Sequence, residues 1–475
     1  MDNKSKIKLF IENFVVYGMG GAISSAIPVI MIPVITRLMP NSSYIGISDM
    51  ATAIISIGNA FALMGMYDSM YRLFFENDSK EYKREICSTS LAFTFLTSII
   101  VAVIMIILKK PITALMLEGK NGFLVYICAL TVFVGATNSI VSAPIRMQNR
   151  RKIYLVLNTL CPLISYSISI PLILNGHYVI ALPLATLISN VIIESSFLLI
   201  NREWFQTKKV NIKHLPLLLK LSIPQIPNLL VYWVFNSCDR IMILNLLGMN
   251  EAGIYGISAK LGHVSQLIYT AFIGGWQYFS FSVMKDKNQV ETNSKIFEYL
   301  GVISYVATGM LCVFVKFFFR VLFPSEYMNG AVAAPYLFLS PLLLMMFQVN
   351  AYQFLIKLKS WPNMLILGTG ALVNIILNKL LIPILGIEGA AISTVIGYLF
   401  SVVLCSTALY KIKLFNIHGK FVFVSAAFIL FFVIWRLFGF NSVLVSFIEL
   451  VVFGIVVLLC YYREIKKIMK MVLRE

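Results

Sequence analysis

Charged residues are scarce in this chain. They make up 13% of its 475 residues, whereas soluble domains carry roughly 25%. Hydrophobic residues make up 59%, the mean hydropathy is +0.85, and no long hydrophilic stretch remains for a separate soluble domain. This composition excludes an ordinary soluble protein and indicates a chain whose solvent is mostly lipid.

The short motifs of several enzyme classes are also missing. The sequence has no G-x-x-x-x-G-K-[ST] phosphate loop, no H-E-x-x-H and no D-x-D, which argues against ATP hydrolysis and metal-dependent chemistry by this chain. Its four histidines are scattered, and its seven cysteines form no C-x-x-C pair, so we interpret the cysteines as small buried hydrophobes. We therefore predict no metal, no cofactor and no enzymatic activity.

Long apolar stretches are what the chain has in abundance. A membrane span needs about 20 mostly apolar residues. Fourteen stretches qualify, at residues 10–37, 44–71, 87–108, 122–146, 153–174, 178–200, 214–247, 251–284, 296–320, 330–356, 361–384, 388–410, 417–438 and 442–462. The first is too long for the apolar part of a signal peptide and contains Pro28, Pro33 and Arg37. We predict an all-α polytopic membrane protein with about 14 transmembrane helices.

The net charge of +18 reflects the distribution of lysine and arginine around these stretches. If the amino terminus is cytoplasmic, the 39 Lys and Arg residues divide into 29 on the inner side, 8 at the outer ends and 2, Arg240 and Lys260, within spans. This bias follows the positive-inside rule. It predicts a multi-pass membrane protein with both termini cytoplasmic, and it accounts for the basicity without nucleic acid as a partner.

Short segments recur at a nearly constant spacing. Gly46-Ile-Ser recurs at Gly256 with an offset of 210, and Thr186 aligns with Thr394 at an offset of 208. Six spans in each copy give both copies the same orientation, so we predict two six-helix lobes as a parallel repeat. The predicted domains are an N-lobe at 1–200, a cytoplasmic linker loop at 201–213, a C-lobe at 214–413, and two further spans with a basic tail at 414–475.

Polar residues are concentrated in the seventh and eighth predicted spans. A charge in hydrocarbon costs about 2.5–3.5 kcal/mol on insertion scales, so such residues require a function or a partner. Spacing by three or four residues predicts one polar face on each helix. The seventh span carries Gln225, Asn228, Tyr232, Asn236, Asp239 and Arg240, and the eighth carries Lys260, His263 and Gln266.

Position in the helical hairpin refines this prediction. Asp239 and Lys260 are about equally far from the turn at 248–250, roughly 14 Å deep at 1.5 Å per residue. The sequence allows two interpretations of Asp239 and Lys260. One is a structural ion pair. The other is an anion-binding site, in which Lys260 or Arg240 supplies spare positive charge because Arg240 has no obvious acidic neighbour. The same reasoning pairs Arg37 with Asp49 nearer the outer surface. His263 is either a titrating group or a buried neutral histidine.

Five segments resemble the polysaccharide transporter family of the multidrug/oligosaccharidyl-lipid/polysaccharide exporter superfamily. They are residues 32–38 (IPVITRL), 146–154 (RMQNRRKIY), 218–228 (LLKLSIPQIPN) followed by Asp239-Arg240, 251–261 (EAGIYGISAKL) and 382–394 (IPILGIEGAAIST). The resemblance implies a bundle of six plus six helices with two additional helices, and export of an undecaprenyl-diphosphate-linked oligosaccharide for O-antigen, capsule or lipopolysaccharide. It also implies that the chain works beside polysaccharide polymerase machinery.

By position, the resemblance places Asp239, Arg240 and Lys260 in a central cavity, with Arg37 and Arg146 near its two mouths. We include Asn228, Asn236 and His263 among the predicted cavity residues. The predicted function is flipping by alternating access, driven by the membrane potential, protons or sodium. The alternatives are a lipid II flippase, a drug/cation antiporter, which favours an acidic cavity, and a membrane glycosyl polymerase.

Overall fold

The computed structural model describes residues 27–282, 287–357 and 361–472, and all regular secondary structure in these ranges is helical. The α-helices are α1 Ile27–Leu38, α2 Ser42–Leu63, α3 Met66–Phe74, α4 Lys80–Ile107, α5 Lys109–Met116, α6 Leu124–Met147, α7 Arg151–Leu174, α8 Tyr178–Asn201, α9 Leu215–Ser222, α10 Ile226–Trp233, α11 Asp239–Leu247, α12 Met249–Gly262, α13 Ser265–Ser282, α14 Gln289–Leu322, α15 Ala334–Ile356, α16 Trp361–Leu385, α17 Ile387–Lys411, α18 Gly419–Leu437 and α19 Val443–Val472.

Twelve segments of the described chain are long and apolar enough to cross a membrane. They coincide with twelve of the fourteen predicted stretches, and Ile212–Leu247, which contains α9, α10 and α11, counts as one of them. Of the first stretch, residues 10–26 lie outside the described residues and the remainder is the short apolar helix α1. The prediction of an all-α polytopic membrane protein is confirmed.

The eighth predicted stretch forms two helices where we predicted one. α12 ends at Gly262 and α13 begins at Ser265. Ser265 Oγ donates to the carbonyl of Phe338 at 2.7 Å, and a Cβ added to Gly262 would lie 2.9 Å from the carbonyl oxygen of Ala334. Close packing against the first residues of α15 therefore accompanies the break.

The helices pack into two compact units. The first comprises Met1–Ile257 with Asn378–Ala390, and the second comprises Ser258–Leu377 with Ala391–Glu475, as far as their residues are described. In the first unit α6 packs against α2, α4 and α8; in the second, α14 packs against α15, α18 and α19. This division by packing does not test the predicted boundaries of the two lobes, which stay a prediction.

The polar segment after α8 is attached to the first unit. Trp204 packs on Phe74, with ring centroids 5.3 Å apart, in a core shared by α3, α4, α6 and α9. The backbone N–H of Asn211 donates to Thr89 Oγ1 at 3.0 Å, and a His214 ring nitrogen lies 2.8 Å from a carboxylate oxygen of Glu85. The predicted linker loop is thus held against α4.

A similar attachment occurs inside the second unit. The backbone N–H of Asn416 donates to Ser294 Oγ at 2.9 Å, and His418 Nδ1 lies 2.7 Å from Glu298 Oε1. Asn416 follows Asn211 by 205 residues and His418 follows His214 by 204. Each unit therefore attaches a loop to a helix through a backbone amide and a histidine, although the hydroxyl and carboxylate partners follow in opposite order along α4 and α14.

Candidate functional site

The backbone changes helical type just before the central charged residues. Within the span Ile212–Leu247, residues Val234–Cys238 form a π-helical turn that leads directly into α11. A π turn contains one more residue than an α-helical turn, and such turns are frequent at functional sites. The side chains after it are therefore rotated from the face that regular spacing predicts.

This rotation divides the predicted polar face of the seventh span. Asn228 and Asn236 are exposed, and Asn236 Nδ2 donates to the Tyr232 carbonyl at 2.8 Å. Asp239, in contrast, is 4% exposed. The prediction of one continuous polar stripe was wrong, because it assumed regular α-helical spacing through Asp239.

Asp239, Arg240, Asp49 and Tyr255 form a buried charge cluster inside the first unit. Tyr255 Oη donates to Asp239 Oδ2, and the backbone amide of Arg240 donates to Asp239 Oδ1 at 2.8 Å. Arg240 Nη1 lies 3.7 Å from Asp49 Oδ2. The side chains of Arg240 and Asp49 are 14% and 4% exposed, so α11 is linked to α2 by charges almost removed from water.

The prediction that Arg240 has no acidic neighbour was wrong. Two unit charges about 4 Å apart attract by roughly 4 kcal/mol at an effective dielectric constant near 20, and desolvation offsets part of this gain. Hairpin positions alone cannot reveal Asp49, because it lies on α2. Asp49, Asp239 and Arg240 together carry a formal charge of −1; the excess of positive charge predicted for Asp239, Arg240 and Lys260 stays a prediction.

Three glycines allow α2 and α12 to approach closely at this cluster. A Cβ added to Gly256 would lie 1.9 Å from Asp49 Oδ2, and one added to Gly253 would lie 1.9 Å from the carbonyl oxygen of Ser42. A Cβ at Gly46 would lie 2.4 Å from the Met249 carbonyl oxygen. Small residues permit such helix contacts in membranes, so Gly46 and Gly256, which marked the sequence repeat, are also packing residues.

The remaining predicted site residues lie elsewhere. Arg146, exposed in the last turn of α6, has its guanidinium carbon 5.2 Å from the ring centroid of Tyr154 and 5.8 Å from that of Tyr67. Arg37 is exposed near the end of α1. Lys260 and His263 are half-buried residues of the second unit. The predicted pairings of Asp239 with Lys260 and of Arg37 with Asp49 stay predictions.

Sequence reasoning missed two residues that complete this region. Tyr255, which is fully buried, supplies the hydroxyl that binds Asp239. Glu118 Oε1 accepts the backbone N–H of Met249 at 2.8 Å and so satisfies a donor at the start of α12. The carboxylate of Glu118 lies in a loop distant in sequence, and no local pattern identifies it.

Tyr255→Phe is expected to lower the free energy of unfolding by about 1–3 kcal/mol, because Asp239 loses a buried hydrogen-bond donor. Chemical unfolding of the full chain in detergent measures this loss. Tyr410→Phe is the matched control, because Tyr410 is 59% exposed. Equal stability of both variants would contradict a structural role for the Tyr255 hydroxyl.

Twelve apolar spans, interrupted helices and charges buried within the bundle are features of multi-pass membrane transporters. A family model described as polysaccharide biosynthesis protein matches residues 34–333. That range covers more than half of the chain, and the chain belongs to this family. The family resemblance seen in the sequence is confirmed.

Solved structures identify the fold. The chain is similar to "Lipid II flippase MurJ, inward closed conformation", with a TM-score of 0.66 and 15% identity over 96% of this chain and 99% of that one. It is also similar to an inward-facing multidrug resistance MATE family transporter of the MOP superfamily, with a TM-score of 0.59 and 15% identity over 82% and 97% of the two chains.

A third similar structure is a MOP superfamily transporter from Pyrococcus furiosus that is described as having a binding pocket of reverse polarity. Its TM-score is 0.61 and its identity is 12%, over 84% of this chain and 95% of that one. No curated protein matches the sequence. The protein therefore has the fold of MOP superfamily transporters.

Proposed function

We propose that this protein flips undecaprenyl-diphosphate-linked oligosaccharide repeat units across a bacterial inner membrane without ATP hydrolysis. The observation that carries the proposal is the family match to polysaccharide biosynthesis proteins over residues 34–333. The fold, which nearly the whole chain shares with a lipid II flippase, supports it. The glycan is a repeat unit for O-antigen, capsule or lipopolysaccharide.

In this proposal the ion pair in the buried charge cluster holds α2 against α11 until substrate binds. We call this contact the lock, because the two helices separate only when it is broken. α2 belongs to the predicted N-lobe, whereas α11 and α12 belong to the predicted C-lobe, and Asp49 and Arg240 join them. A guanidinium binds phosphate oxygens with the same planar donors that it uses for carboxylates. A lipid diphosphate that takes the place of Asp49 at Arg240 releases α2 from α11 without leaving the arginine unpaired.

Arg146 is the proposed first contact at the cytoplasmic mouth. Its exposed guanidinium is held between Tyr67 and Tyr154, so a cation and aromatic faces are presented together. Phosphate binds such a cation, and the aromatic rings offer apolar surface to sugar rings. Lys260 and Arg37 are the proposed further cationic contacts, and Asn228 and Asn236 offer exposed amides to the glycan.

The membrane potential supplies one driving force. Moving one charge through 100 mV is worth about 2.3 kcal/mol, so a diphosphate with a charge of about −2 gains at most roughly 5 kcal/mol on leaving a negative cytoplasm. Exchange with protons or sodium, through Asp239 or His263, is the alternative coupling. Flipping measured at zero potential with an imposed proton or sodium gradient separates these routes.

Proteoliposomes loaded with a fluorescent polyprenyl-diphosphate disaccharide test the proposal. The wild-type chain is expected to expose the labelled lipid to a membrane-impermeant quencher, and Arg146→Gln is expected to slow this exposure at least tenfold, since one charged contact is worth about 1.5–3 kcal/mol. Lys120→Gln, at an exposed loop position, is the control of equal charge change. Wild-type protein that leaves the lipid on its original side would reject flipping.

A second candidate function is antiport of organic cations. The formal charge of −1 on Asp49, Asp239 and Arg240 favours it, because carboxylates attract a cationic substrate. The same liposomes, supplied with a cationic dye and a proton gradient, distinguish the two functions. Gradient-driven dye movement without lipid flipping would select the antiporter, and complementation of a strain lacking its lipid II flippase tests the third candidate.

A further inference from the structure

Three cationic side chains are close together at one end of the second unit. Lys316 and Arg320 are one turn apart on α14, and Arg436 lies near the end of α18. Electrostatic repulsion from both arginines acts on Lys316. The sequence predicts this end to face outwards, where only 8 of 39 lysines and arginines lie, so three of the eight are in one cluster. This cation cluster runs against the usual charge bias of membrane proteins.

The turn between α18 and α19 holds two of these cations in place. Lys316 Nζ lies 4.0 Å from the ring centroid of Phe440, and the guanidinium carbon of Arg436 lies 5.8 Å from it. Lys316 Nζ also donates to Asn441 Oδ1 at 3.0 Å. Lys316 and Arg436 are half-buried, whereas Arg320 is exposed. These contacts therefore hold the cationic groups of Lys316 and Arg436 at a defined position beside the turn.

One carboxylate lies at the same turn. A Cβ added to Gly439 would be 2.6 Å from Glu449 Oε2, so Glu449 faces the first residue of the turn. Bringing like charges together is unfavourable, and an anion bound among them offsets that cost.

Apolar side chains beside the cation cluster face outward from the bundle. Phe317 is 57% exposed, Val321 51%, Leu437 63% and Phe438 64%. In a membrane protein such surfaces contact acyl chains, and cationic or aromatic residues at the ends of the spans lie at the depth of the lipid headgroups. The anion available at that depth is a lipid phosphate.

We propose that Lys316, Arg320 and Arg436 bind the phosphate of an anionic lipid at the predicted outer end of the second unit. Arginine and lysine are the side chains that bind phosphate most strongly. The lipid is either a bulk phospholipid such as phosphatidylglycerol or a polyprenyl diphosphate. The latter case rests on the proposed flipping function, and the former does not.

Native mass spectrometry of the full chain in detergent tests this site. With equimolar phosphatidylglycerol and phosphatidylethanolamine, wild-type protein is expected to retain phosphatidylglycerol several-fold in excess. The Lys316→Gln/Arg436→Gln double variant is expected to lose this excess and to retain the two phospholipids about equally, with phosphatidylethanolamine bound as in the wild type. Lys120→Gln, which removes one exposed charge from the same predicted side, should match the wild type.

Two further measurements keep the test decisive. Arg320→Gln changes an exposed side chain, so it is expected to fold normally and to reduce phosphatidylglycerol retention. Displacement of phosphatidylglycerol by polyprenyl diphosphate identifies the transported lipid as the occupant, and its absence identifies the bulk phospholipid. Wild-type retention in both Arg320→Gln and the double variant, or equal loss in Lys120→Gln, would overturn the proposal.

Discussion

Arg240→Gln is expected to abolish glycan export and to lower the free energy of unfolding by about 3–5 kcal/mol, the typical result of removing one partner from a buried ion pair. The loss is large because Asp49 and Asp239 are both buried and would be left without the guanidinium charge. Export is measured as surface polysaccharide in a strain lacking its own exporter, and stability by chemical unfolding in detergent.

A double-mutant cycle separates the lock from a simple loss of stability. Asp49→Asn with Arg240→Gln removes both partners of the 3.7 Å pair, and the double variant should be more stable than the sum of the single effects implies. A coupling of about 0.5–3 kcal/mol is expected for residues in contact. If the double variant regains stability but still fails to export, the pair of Asp49 and Arg240 is needed for transport as well as for folding.

Arg240→Lys adds a third comparison. Lysine keeps the charge but lacks the planar donors that bind a carboxylate or phosphate with two hydrogen bonds. We expect this variant to fold and to export slowly. Wild-type export by Arg240→Gln would reject both the lock and the role of Arg240 in diphosphate binding.

The membrane spans are predictable from the sequence because hydropathy is a local property. Twelve of the fourteen predicted stretches are segments of the described chain that are long and apolar enough to cross a membrane, and the polar residues Asp239 and Arg240 are recognisable because charge is rare in such segments. What the sequence does not provide is the partner of Arg240. Asp49 lies about 190 residues away on α2, and only the packing of α2 against the α11–α12 region brings the two together.

Two local changes in the backbone were also beyond sequence reasoning. The π turn at Val234–Cys238 has no side-chain signature, and Asp239, the first residue after it, is buried while Asn236 is exposed. The interruption after Gly262 depends on packing against residues 334–338. A rule based on regular helical spacing predicts neither feature.

Gly253→Ala is expected to separate α2 from α12. The added methyl group would lie 1.9 Å from the backbone carbonyl oxygen of Ser42, and backbone atoms in a helix cannot move aside independently. Overpacking of this kind costs typically 1–3 kcal/mol. Hydrogen exchange measured by mass spectrometry should show faster exchange of the backbone amides in residues 42–50 and 249–257.

Gly454→Ala is the matched control, because no atom lies within 4 Å of the added methyl group and alanine stabilises a helix by up to about 1 kcal/mol over glycine. Gly256→Ala is the informative comparison, since its methyl group would meet Asp49 Oδ2, a side-chain atom that can rotate away. It should disturb the Asp49–Arg240 pair with less separation of the helices.

If Gly253→Ala accelerates exchange and stops export while Gly256→Ala only slows export, close contact of α2 with α12 and the ion pair contribute separately to the lock. Unchanged exchange in Gly253→Ala would instead show that α2 and α12 already separate freely in the membrane, and the charge cluster would then not hold them together.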